Sequence, residues 1–474
     1  MKRFVSTLLA LLMLCLPVLS LAETEPQPTA STDVEKYKLA MLCLQGNHDG
    51  SGKPDYAQAY SLFTEIAHAE NTTVSGQALT QLGIGCYKGY FEESGEPDYA
   101  QAHELLMQGH ANGSTLAANW LGDLHMNGHL TGEPDYEQAR QYYLTAAEGG
   151  YAYAAHKLAD GFLNGVLNGG VIDVEQALTW YGKADELDLG CANGHIIAIY
   201  RDGVKDAEGN TVYEPNPEAE TAFLARLWEQ GTTDVYTIEW YMYRLYYTVK
   251  DYDLAITVGE KGAELGSGYC MLHLGHIYRN VKNDPDTALA WYTKSTETNY
   301  SDALISIGNG YKDGFFNGGV PDGEAAAEWY RKAVEAGLDN APAHLGKLYF
   351  TGIKDEDDAM LFEADYAAAL PYLELAVAAG TEDSYCYDCL GWIYAGNSDV
   401  YEADYEKAMR VYEAGAELDS KYCMLQLGLI YLNGELGEAD VEKAIEWLSL
   451  AAEGDNAHPD AAGTLEYAKS LLAE

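Results

Sequence analysis

WLGDLHMNGHLTGEPDYEQARQYYLTAAEGG, Trp120–Gly150, holds the pattern that decides the fold. It opens with Leu121-Gly122, reaches a second glycine at Gly128, and passes a polar turn to Asp135. Apolar and aromatic residues then recur at helical spacing from Ala139. Asp135 stands where a helix N-cap belongs, because a carboxylate there accepts from an otherwise unpaired amide of the first turn. Gly128 stands where a helix ends in a left-handed residue. One stretch therefore reads as helix, turn, helix.

The same sentence is written along the whole chain. An Asp followed four residues later by Ala recurs at Asp55, Asp98, Asp135, Asp173, Asp251, Asp284, Asp322, Asp365, Asp404 and Asp440, with a decayed copy at Asn216. From Asp55 to Asp440 the mean period is about 38.5 residues, the range of a stacked helical repeat. Gln58, Gln101, Gln138 and Gln176 sit at the third helical position, where they would complete capping boxes. A mid-helix glycine recurs in the leading helix at Gly83, Gly122, Gly275, Gly308, Gly346, Gly391 and Gly428. Each costs about 1 kcal/mol relative to Ala, so close approach of a neighbouring helix is expected there. Three residues on, an aromatic fills the groove in most units (Phe162, Tyr200, Tyr246, Tyr278, Tyr311, Tyr349, Tyr394, Tyr431). A further glycine often ends the helix (Gly46, Gly89, Gly128, Gly165, Gly203, Gly314, Gly352, Gly434).

The run A-x-x-x-LG-x-x-Y-x-x-G, a variable loop, then D-x-x-x-A-x-x-W/Y-Y-x-K-A resembles the Sel1-like repeat, a relative of the tetratricopeptide repeat. The resemblance covers about residues 34–454. It implies an all-α fold: a right-handed α-α superhelical solenoid of about eleven helix-turn-helix repeats with a concave inner face. Residues 455–474 are read as a capping helix that closes the open end.

The domain reading follows. Residues 1–22 have a basic start, an apolar run and Ser20-Leu21-Ala22 before Glu23, the layout of a secretory signal peptide; a short membrane anchor is the alternative. Residues 23–33 are a flexible tether, 34–196 an N-terminal repeat block, and 251–454 a C-terminal repeat block. Between them 197–250 is degenerate, because Ile197 and Tyr243 replace the mid-helix glycine, and a bend or hinge is expected there. No second apolar stretch is long enough to span a membrane after signal cleavage. An exported location follows, whether periplasm, cell surface or secreted.

Twenty-eight Lys+Arg against 74 Asp+Glu gives a net charge of −46. A field of that sign repels phosphate backbones, which excludes nucleic-acid binding, and it suits a basic partner. In WYMYRLYY (240–247), Trp240, Tyr243 and Tyr247 share one helical face while Tyr241 points elsewhere. These four are the candidate binding residues, because Tyr and Trp dominate contact hot spots. Extra packing that fills the place of the missing glycine is the other reading.

No residue is assigned to catalysis, a metal or a cofactor. The sequence has no HExxH, GxSxG, Ser-x-x-Lys or phosphate-binding loop. Cys43 and Cys86 occupy the aromatic slot, and Cys270, Cys386 and Cys423 a small buried position, so the cysteines read as small hydrophobes. Asn47-x-Asp49-x-Ser51-Gly52 approaches a calcium-loop spacing without its final Glu, and 354–365 reads as a solvated acidic insertion. The leading functional reading is an exported scaffold that binds a protein or peptide on the concave face, by burial of Tyr and Trp contacts. An exported cell-wall or peptide hydrolase and a carbohydrate-binding repeat protein are the alternatives.

Overall fold

A computed structural model describes residues 32–472 apart from 70–71, 93, 188–189 and 299. The expected signal peptide and nearly all of the expected tether lie outside the described residues. Asp33, placed by the sequence reading at the end of the tether, is instead the first residue of a helix that Thr32 caps.

Twenty-three α-helices follow one another among the described residues. In chain order they make eleven leading–trailing pairs and a final helix, Ala461–Leu471. The chain divides into two compact units, residues 1–220 and 221–474. From Asp33–Gln45 to Cys191–Asp202, and from Val235–Tyr243 to Ala461–Leu471, every helix packs against the next in sequence, which is the all-α solenoid the repeat period implies.

The ten repeat aspartates all cap. Each accepts from the backbone N–H three residues on, at 2.9–3.1 Å. Asn216, the decayed copy, does the same for Ala219 at 3.0 Å. A second bond ties the cap to the repeat. In the pairs other than the sixth, the N–H of the capping residue donates to the carbonyl of the aromatic-slot residue, as Asp135 does to His125 and Asp404 to Tyr394. Cys43 and Cys86 fill this slot because its constant feature is the carbonyl rather than the ring.

The reciprocal half of the capping box is absent from the trailing helices. Gln58 and Gln101 turn inward, and their Oε1 atoms accept from the Sγ of Cys43 and Cys86 at 3.4 and 3.5 Å. The N–H groups of Asp55 and Asp98 already donate to the Cys43 and Cys86 carbonyls, so each glutamine is left to accept from the buried thiol.

The seven mid-helix glycines are all buried, and the trailing helix of the same pair supplies what covers them. A Cβ on Gly122, Gly275 or Gly308 would lie 2.5 Å from the ring of Tyr143, Tyr292 or Tyr330, and one on Gly391 would lie 2.3 Å from that of Tyr412. At Gly83, Gly346 and Gly428 the covering residue is Leu106, Leu373 or Leu448. The helix-terminating glycines take φ between 62° and 78°, a range that other residues enter at a cost.

Two of the segments between helices are β-hairpins. Val204–Lys205 pairs with Thr211–Tyr213, and Ile353–Lys354 with Met360–Phe362. One device makes both turns. Asp206 accepts from the N–H groups of Glu208 and Asn210, and Asp355 from those of Asp357 and Ala359. The second insertion is not wholly solvated, since Phe362 is buried against Gly323. The calcium-like stretch is a pair of polar turns: Asp49 accepts from the Ser51 N–H and Ser51 from the Lys53 N–H.

Candidate binding surface

The degenerate sixth pair positions the aromatic cluster. Its leading helix, Val235–Tyr243, opens on Asp234, which caps the Thr237 N–H at 2.8 Å. It continues into a π-helical turn, Arg244–Val249, that ends at Lys250 with φ 64°. The seventh pair repeats the device with a π turn over Tyr278–Lys282 and Asn283 at φ 52°. Both connections lack the terminating glycine, and the wider turn stands in its place.

The four expected residues do not act together. Tyr241 is 4% exposed and belongs to the core, so it is removed from the candidate surface. Trp240 and Tyr243 are half-buried, and Tyr247 is 42% exposed. These three form a ladder: Trp240 stacks on Tyr243 at 5.0 Å, and Tyr243 meets Tyr247 at 4.7 Å.

Tyr247 carries the ladder into a cleft of about 480 Å³, lined also by Tyr246, His276, Arg279, Tyr292 and Asp313. Its floor is a polar network set by two histidines, His273 buried and His276 half-buried. His273 Nδ1 lies 2.9 Å from the Tyr269 carbonyl, which fixes Nδ1 as the donor. Nε2 is then an acceptor for the Tyr247 hydroxyl at 3.4 Å. His276 Nε2 meets Ser306 Oγ at 3.3 Å. Burial, then His273 and Arg279, pushes His276 down to about 4, and burial also lowers His273. Both imidazoles are therefore neutral near pH 7. Arg279 is paired with Asp313 and donates to the Ser306 carbonyl.

Sequence reasoning missed the histidines, Arg279 and Tyr292. They come from the next repeat, and only their common offset from the slot residue could have joined them to the ladder. A second cleft of about 420 Å³ is apolar, with Phe350, Tyr366, Trp392 and Tyr422 on its wall. Cys386 and Cys389 are buried free thiols, and burial raises Cys386 to about 12. That is packing chemistry rather than a redox pair. Cys191 departs from the cysteine reading, because it is exposed. One group among the described residues has a metal-binding donor set: His156, Asp160 and His195, in residues 1–220.

The Sel1 repeat family matches residues 36–71, 115–151, 152–188, 263–298, 301–338 and 421–456. The chain carries six Sel1 repeats. A solved structure of a protective antigen present in uropathogenic Escherichia coli strains, displaying an SLR fold, is similar to it. The two are 24% identical with a TM-score of 0.52, over 93% of this chain and 88% of that one. A Sel1 repeat protein from Oxalobacter formigenes is 18% identical with a TM-score of 0.42, over 89% and 99%. No curated protein matches the sequence. Sel1 and tetratricopeptide-like repeats typically serve as protein–protein interaction scaffolds and are generally non-catalytic. No helix among the described residues is long and apolar enough to cross a membrane.

Proposed function

We propose that this Sel1 repeat chain is an exported scaffold that holds a peptide or protein segment on the concave face of its repeats, with Trp240, Tyr243 and Tyr247 as contact residues. The observation that carries the reading is the continuity of these rings with the cleft beside Tyr247. Stacked rings are already ordered, so little side-chain entropy is lost when a partner covers them. The net charge of −46 supports a basic segment, steered by a field that salt weakens. Export rests on residues 1–22, and a mature N-terminus at Glu23 is its direct check.

Titration of a library of Lys/Arg-rich peptides, followed by Trp fluorescence and calorimetry, tests the proposal. The triple variant Trp240→Ala/Tyr243→Ala/Tyr247→Ala should weaken binding roughly a hundredfold, as loss of a hot-spot cluster does. The buried control Tyr241→Phe should leave it unchanged. Equal affinity of the triple variant and the natural chain would refute the surface. We also propose a hinge within residues 197–250, on the ground that Ile197 stands in place of the mid-helix glycine of the fifth pair. Fluorescence-transfer distances across them should spread rather than fall in one narrow peak.

A further inference from the structure

Two consecutive seams in residues 1–220 use the same positions for different chemistry. In the first, the Thr115–Met126 helix supplies Asn119 and Asp123, the Tyr136–Glu148 helix Tyr143, and the Ala152–Leu163 helix Lys157. The Tyr143 hydroxyl donates to Asp123 Oδ1 at 2.7 Å. Lys157 Nζ donates to Asp123 Oδ1 and Oδ2 at 2.6 and 2.8 Å and to Asn119 Oδ1 at 3.2 Å. The carboxylate is neutralised and every partner is used.

One repeat later His156 stands in the Asn119 position, Asp160 in that of Asp123, Tyr181 in that of Tyr143 and His195 in that of Lys157. The tyrosine bond is kept, since the Tyr181 hydroxyl donates to Asp160 Oδ1 at 2.5 Å. The ammonium is gone. His195, from the Cys191–Asp202 helix, stacks on Tyr181 at 4.9 Å. His156, one turn before Asp160, places Nδ1 3.3 Å from Asp160 Oδ2. Its Nε2 is buried and has no hydrogen-bond partner. Burial, and then His156, lowers the pKa of His195, with Asp160 opposing.

We propose that His156, Asp160 and His195 bind a divalent transition-metal ion, zinc in the first instance, in the place where the preceding seam holds the Lys157 ammonium. One ligand atom from each lies within 4.8 Å of the other two. Two imidazoles and a carboxylate are a zinc donor set that leaves a position open to solvent. The exposed His195 is free to close the remaining distance to bonds of about 2.0–2.2 Å. Tyr181 is the outer-shell partner that holds the carboxylate in place. Imidazole selects against calcium and magnesium, which the many surface carboxylates would otherwise attract.

The experiment uses the full chain after chelator stripping, in the natural sequence and in a Cys191→Ser background that removes the exposed thiol one turn from His195. Zinc calorimetry should show one saturable ion per chain, and cobalt should give the intense visible bands of a tetrahedral site. His195→Lys with His156→Asn rebuilds the preceding seam. It should abolish both signals while keeping the circular-dichroism spectrum and unfolding midpoint. Tyr181→Phe should weaken zinc by about 10–100-fold. Should the rebuilt seam not fold, His195→Gln alone must still remove the cobalt bands. The proposal is overturned by the absence of saturable zinc binding, or by binding that is the same in His195→Lys, His195→Gln and the natural chain.

Discussion

In the tenth repeat Gly391 on the leading helix lies under Tyr412 of the trailing helix; in the sixth the sizes are reversed. There Met242 on the leading helix is fully buried, and Gly259 stands on the trailing helix at the position that Tyr412 holds elsewhere. A Cβ on Gly259 would lie 2.6 Å from Met242 Cε. What repeats is thus one small residue facing one large one, not a glycine at a fixed address. The loss of the leading-helix glycine, which by itself would push the pair apart, is compensated from across the seam. The reversal also frees Tyr243 to stack outward with Trp240 and Tyr247.

The largest effect should come from breaking the regular form. Gly391→Val places branched carbons against a fully buried ring, and overpacking of this kind costs about 1–3 kcal/mol. Urea unfolding of the full chain should show a lower midpoint, with hydrogen exchange accelerated first in residues 384–417. Acid should produce a somewhat smaller effect, confined to the region around the reversed pair. The depressed His276, with His273, stays unprotonated when folded, while the unfolded chain takes up protons as the pH falls from about 6.5 to 4. The stability these two groups contribute is therefore lost as pH falls through that window and is constant above it. Replacement of His276 by Gln should flatten the profile, and a slope that persists would place the titration elsewhere. The smallest effect is expected of Gly259→Ala. The end of Met242 is flexible, and the gain in helix propensity offsets its displacement to within about 1 kcal/mol of neutral.

The period, the capping aspartates and the seven glycines were legible because each is a local, repeated requirement of helix geometry. What covered the glycines was less so. The covering ring or leucine lies on the other helix, eight residues after the capping Asp, where Tyr412, Leu448 and Gly259 look unrelated until they are set in register. The hairpins were hidden because two or three alternating residues give no strand signal. Gln58 misled because the cap N–H it would serve already donates to the Cys43 carbonyl, a partner invisible to a local rule, and the glutamine accepts from the buried thiol instead. Of the candidate surface, three of four residues sit on one face as the helical spacing implies. Tyr241 packs in the core, and the cleft is completed by residues a repeat away. The His156–Asp160–His195 group needed two leading helices to be aligned position by position.

A double-mutant cycle on Gly391 and Tyr412 tests the central idea most directly. Gly391→Ala, Tyr412→Ala and the double variant are unfolded in urea beside the natural chain. If size complementarity closes the seam, Gly391→Ala is destabilising beside Tyr412 and much less so once the ring is truncated to alanine. The coupling is then about 1 kcal/mol or more. Additive losses, with the alanine equally costly beside either residue, would mean that the glycines answer to something other than the side chain packed over them.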